Sequence, residues 1–150
     1  MTMLATKTAR RRAPAFLTHD DILDLLNKDF VQECRSIFGY AVYAERIKAA
    51  GDEKLAAMIE QRGREEVVHS LTLCQLIYDF GGSVTSVVDE MNAVLNADRV
   101  ADPAWTREAI RRLRDRSRQL RAVGEPGLAK RLARVVSQKR ALPDLAELLG

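Results

Sequence analysis

Aromatic residues make up only 5% of this chain, and its 150 residues include just eight Gly and four Pro. Sandwiches and barrels need many β-branched and aromatic strand residues separated by frequent turns, so a strand-rich fold is excluded. Two cysteines without CxxC spacing exclude a disulfide scaffold and fit a reducing compartment. No run of 18 apolar residues occurs, so no membrane span is expected. Lys7, Arg10, Arg11 and Arg12 lie near the start, but Thr18, His19, Asp20 and Asp21 follow where a signal peptide would turn apolar. A cytoplasmic protein is therefore expected.

What is present is helix-forming residues in abundance, with hydrophobic residues at 47% and charged residues at 30%. That composition supports one domain with an ordinary core, over residues 18–150, preceded by a disordered basic tail over 1–17. Charge is unevenly distributed: residues 16–103 hold 16 acidic against 8 basic residues, whereas 104–142 hold 3 against 12.

Periodicity predicts four long helices. The first runs from Thr18 to Ala50, where Gly51 stops it, and the second from Asp52 to Phe80, ended by Gly81 and Gly82. The turn between them is so short that they must be antiparallel neighbours. Residues 83–103 form a long crossover with a short helical piece around 90–96. A third helix is capped by Thr106 and runs to Val123, a fourth spans 128–142, and Pro143 precedes a short terminal helix. Two helix hairpins joined by one long crossover are the connectivity of ferritin-like bundles, so an all-α bundle of that layout is expected.

The buried stripe of the first helix reads Leu26, Phe30, Glu33, Ile37, Tyr40, Ala44, Ile47, and that of the second reads Leu55, Ile59, Arg62, Glu66, His69, Leu73, Leu76, Phe80. Each is apolar at its ends and ionisable in the middle. Counted from Gly51, Glu33 lies 18 residues back, and Glu66 and His69 lie 15 and 18 forward, which puts all three at one height. Buried carboxylates need a cation, either a metal ion or a basic side chain. Glu66 and His69 share a helix face at i and i+3, and Glu33 faces them, so the three form a candidate metal-ligand set.

Glu33, Tyr40 seven residues on, and the Glu66-Val67-Val68-His69 segment resemble the first half of a ferritin-like di-iron protein, most closely a bacterioferritin, over about residues 20–85. The resemblance implies an oligomeric iron-binding protein acting in iron storage. Glu33, Glu66 and His69 would ligate iron, and Tyr40 would lie beside the centre as an auxiliary residue. In an intact centre the family oxidises Fe(II) with dioxygen, which makes a ferroxidase activity the corresponding expectation.

The second half departs from the family. A second Glu and a second ExxH are required, yet residues 139–142 read Lys-Arg-Ala-Leu, and Glu108 falls off its apolar stripe. Three outcomes stay open. Two chains could complete the set between them, as in two-helix encapsulated ferritins; one chain could hold a single metal; or Arg62 and Lys139 could replace the metal's charge. The last would make a non-catalytic subunit that partners an active homologue. Haem is not expected, because the Met that follows the ExxH glutamate in bacterioferritins is Val67 here; Met58 and Met91 read as packing residues. His19 reads as a capping or solvent residue, and Cys34 and Cys74 as inert thiols. Seven arginines of the third helix, Arg107, Arg111, Arg112, Arg114, Arg116, Arg118 and Arg121, cover all but its apolar seam. They suit an acidic subunit surface or, with the basic tail, nucleic-acid phosphates, as the tails of DNA-protecting mini-ferritins do.

Overall fold

The computed structural model describes residues 17–84 and 93–150, with side chains omitted for 93–96. Residues 1–16 of the expected tail over 1–17 and Met91 lie outside the described residues, whereas Leu17 is half-buried and packs against the core. Among the described residues six helices follow one another: α1 (His19–Ala49), α2 (Glu53–Asp79), α3 (Ala93–Val100), α4 (Pro103–Ala122), α5 (Pro126–Ala141) and α6 (Leu145–Leu149).

A full capping box starts α1, in which Thr18 Oγ1 accepts from Asp21 N at 3.1 Å and Asp21 Oδ2 accepts from Thr18 N at 2.9 Å. At the other end the chain reverses through Gly51, whose φ of +96° suits a residue without Cβ. Asp52 then caps α2 by accepting from Leu55 N at 3.0 Å. The third long helix begins earlier than Thr106: Asp102 is the cap, accepting from Ala104 N at 2.9 Å, with Pro103 in the first turn. Proline fits there because the first-turn N–H has no helical partner to lose. Pro126 likewise opens α5 two residues before the expected start. Among the described residues of the crossover, helical structure covers 93–100, continuing four residues past the expected end at 96, while 90–92 lie outside the described residues.

Side-chain contacts fix the relative directions. Asn27 Nδ2 donates to Ser83 O, at 3.2 Å, near the start of α1, while Arg46 near its end pairs with Asp98 of α3 at 3.1 Å. The crossover therefore travels the length of α1 before α4 begins. Trp105 Nε1 then donates to Ser36 Oγ at 2.7 Å, and Arg116 reaches back to Asp29 at 2.8 Å, so α4 runs antiparallel to α1. Arg131 of α5 meets Asp79, the last residue of α2, at 2.6 Å, and Lys139 meets Glu66, so α5 runs antiparallel to α2.

Two apolar clusters fill the interior. One joins Ile22, Leu26, Leu73, Leu76, Leu120 and Leu132 with their neighbours, and the other joins Tyr40, Ala44, Ile59, Val100 and Leu145. Between them the buried side chains are ionisable. Among the described residues no helix is long and apolar enough to cross a membrane.

Candidate metal centre

The two long helices place the polar set where the height argument puts it. Gly63 lets α1 and α2 approach closely, since a Cβ there would stand 3.2 Å from Tyr40 Cβ. From this closely packed pair Glu33 on α1 and Glu66 and His69 on α2 converge until one donor atom of each lies within 4.8 Å of the others. All three are at most 2% exposed.

The cation that these carboxylates require is on the page. Lys139, on α5 and 2% exposed, donates from Nζ to Glu33 Oε2 and to Glu66 Oε2, each at 2.7 Å. Arg62, one turn before Glu66 and 3% exposed, pairs through Nη1 with Glu66 Oε1. Its Nε donates to the Pro143 carbonyl at 3.0 Å, and its guanidinium lies 5.3 Å over the Tyr40 ring. His69 Nδ1 stands 3.5 Å from Glu66 Oε2. Both basic residues proposed as charge substitutes thus reach the carboxylates, each from a different side.

The two carboxyls are not equivalent. Burial raises Glu33 above the ordinary range; the Lys139 charge offsets this only in part and the neighbouring Glu66 adds to it, so Glu33 titrates at about 8. Burial would raise Glu66 too, but the Lys139 charge, the nearby His69 imidazole, the Glu33 carboxyl and the Arg62 charge hold it well below the carboxylate range. Lys139 is raised, because its two carboxyl partners outweigh burial, so its nitrogen stays an ammonium and is no nucleophile. At neutral pH the centre is one firmly ionised carboxylate, Glu66, held by two cations, with a protonated Glu33 beside it.

A dinuclear centre within one chain does not fit these residues. The lysine nitrogen lies 2.7 Å from an oxygen of each carboxyl that would have to hold the metal. Glu108 is exposed, and the residue three beyond Lys139 is Leu142, just past the end of α5, whose side chain has no donor atom. One metal ion has three donors available but would have to displace Lys139 and deprotonate Glu33.

Tyr40 is 1% exposed and packs against Arg62, and burial pushes its phenol up to about 12. His19 is the first residue of α1, not its cap, and stacks on Phe80 with centroids 3.9 Å apart. Cys34 is buried and Cys74 half-buried, both as free thiols. Met58 is not a packing residue, being 47% exposed.

A second buried pair escaped the sequence reading. Asp29, 2% exposed, accepts from Arg116 Nε at 2.8 Å, with Arg112 3.8 Å away. Arg116 therefore belongs to the interior rather than to the arginine-covered surface of α4. The signal was the i, i+4 spacing of Asp29 and Glu33, which puts a second acid on the buried face of α1.

Comparison with known protein families, with curated proteins and with solved structures finds no match.

Proposed function

We propose that this chain is a ferritin-like four-helix subunit of bacterioferritin type in which Lys139 stands where the metal would be, and that it serves in assembly as a non-ferroxidase partner. Support for the fold is the antiparallel α1–α2 and α4–α5 pairs with a crossover running along α1. One observation carries the functional reading: the Lys139 ammonium lies 2.7 Å from both Glu33 and Glu66. A Glu66 carboxylate already neutralised by covalently tethered cations, beside a Glu33 neutralised by its own proton, has little affinity left for a divalent ion, which would add uncompensated positive charge to a water-poor interior.

Metal analysis tests this. Purified protein loaded with Fe(II) or Zn(II) and then dialysed is expected to retain much less than one ion per chain, and Fe(II) oxidation is expected to proceed as in buffer. About one ion per chain, lost in Glu66→Ala, would overturn the reading. Removing the competitor in Lys139→Ala is expected to raise metal retention.

A second reading rests on the convergence of Glu33, Glu66 and His69 within 4.8 Å. In it an iron ion displaces Lys139, singly or in a centre completed between two chains, and the protein takes part in iron homeostasis. Stoichiometric iron in wild-type protein as isolated from cells would favour it.

A further inference from the structure

The outer face of α4 carries a column of arginines that the buried centre does not use. Arg107, Arg111, Arg114, Arg118 and Arg121 are spaced by 4, 3, 4 and 3 residues, so they fall on one side of the helix. That side is opposite Leu113, Arg116 and Leu120, which face inward. Four of the five are exposed and Arg114 is half-buried. Among the described residues only Arg118 of this column meets an acid, Asp115 at 3.7 Å, and both are largely exposed. The adjoining helix α5 has no acidic residue and exposes Lys130, Arg134 and Arg140.

A fixed line of like charges on a rigid helix repels itself and is stabilised by a polyanion laid along it. Rising about 1.5 Å per residue, the column is about 21 Å long, over which duplex nucleic acid presents about twelve phosphate charges. No exposed aromatic ring accompanies the column to stack bases: Trp105 is half-buried and donates to Ser36. Among the described residues the exposed acids of the α1–α2 pair lie at its two ends, Asp20, Asp21, Asp24 and Asp79 at one and Glu45, Asp52 and Glu53 at the other, and the remaining exposed acids are scattered singly along the rest of the chain. The middle of that pair exposes Val67, Val68 and Leu71 instead.

We propose that the arginine column of α4 is a sequence-independent binding surface for the phosphate backbone of double-stranded nucleic acid. The contacts are backbone contacts only, so affinity depends on salt and not on base sequence.

Fluorescence polarisation of the full chain with two unrelated DNA duplexes of about 20 base pairs tests this across a salt series. Equal micromolar affinities are expected, with log K falling against log salt with a slope of about −4, the value for four or five phosphate contacts. Replacing Arg107, Arg111, Arg118 and Arg121 together by Gln alters exposed residues only and is expected to keep the circular dichroism spectrum. It should weaken binding at least tenfold at low salt and flatten the slope by about 3. Three results overturn the proposal: no binding at low salt, unchanged binding by the fourfold variant, or salt-sensitive self-association abolished by the same substitutions without any binding to duplex. The last would assign the column to a second copy of the chain.

Discussion

Glu33→Gln and Glu66→Gln change the same functional group a few ångströms apart, yet the inequality of the two carboxyls makes their consequences opposite. Glu66 is the ionised partner of both Lys139 and Arg62, and neutralising it leaves two buried cations without an anion. Removing one member of such a buried pair costs about 3–5 kcal/mol. Glu33 titrates at about 8, so near pH 7 Gln removes a proton rather than a charge, and its oxygen can still accept from Lys139. That change costs less than about 1 kcal/mol. The pH dependence sharpens the contrast. Between the ordinary 4.5 and the folded value of about 8, the folded state holds a proton on Glu33 that the unfolded chain has lost. Wild-type stability therefore contains a component that falls as pH rises through this window, at about 1.4 kcal/mol per pH unit, and Glu33→Gln lacks it. Glu66 acts oppositely, contributing stability above its ordinary range that is lost as pH falls through its lowered value. Urea unfolding followed by circular dichroism from pH 5 to pH 8 measures both variants against wild type. Glu33→Gln is expected to gain on wild type steadily as pH rises, while Glu66→Gln stays strongly destabilised near neutrality. Equal losses for the two variants, or a Glu33→Gln deficit that grows with pH, would refute the assignment of the proton to Glu33.

Other substitutions probe what positions the centre. Gly63→Val would push α1 from α2 where a Cβ stands only 3.2 Å from Tyr40 Cβ, and thermal melting should record a loss of about 1–3 kcal/mol. Asp29→Ala strands the buried Arg116 guanidinium and should cost about 3 kcal/mol in urea unfolding, with Asn recovering part of it. Thr18→Ala opens the capping box, and hydrogen exchange should speed up in the first turn of α1 with a global loss of about 1 kcal/mol.

Legibility in the sequence followed the strength of the physical signal. Helices α1 and α2 could be read to within a residue or two, because Thr18 and Asp52 cap them and glycines end them. The start of α4 was misread: Thr106 is a good cap by type, but Asp102-Pro103 combines a side-chain acceptor with a ring that already has helical φ, and it takes the helix four residues further back. Glu33, Glu66, His69, Arg62 and Lys139 stood out because each interrupts an apolar stripe at helical spacing. Asp29 and Arg116 did not, since the stripe as read passes through Phe30 rather than its neighbour Asp29, and Arg116 is one of seven arginines on its helix. Only packing of α4 on α1 distinguishes it from its neighbours.

The chemical character of the centre turns on position 139. Two carboxyls and an imidazole are common to a metal site and to an ion-paired core, so the residues of α1 and α2 do not decide between them. A carboxylate at 139 would put a third negative charge against Glu33 and Glu66 in an interior where even two cannot both ionise freely at neutral pH. Such a cluster could stay ionised only around a multivalent cation. A lysine there reverses the requirement: its ammonium supplies the charge, its two hydrogen bonds at 2.7 Å satisfy an oxygen on each carboxyl, and its tether to α5 makes the cation permanent. The energy a metal would contribute to docking α5 on the α1–α2 pair comes instead from within the chain, so the bundle can assemble without drawing on a metal supply.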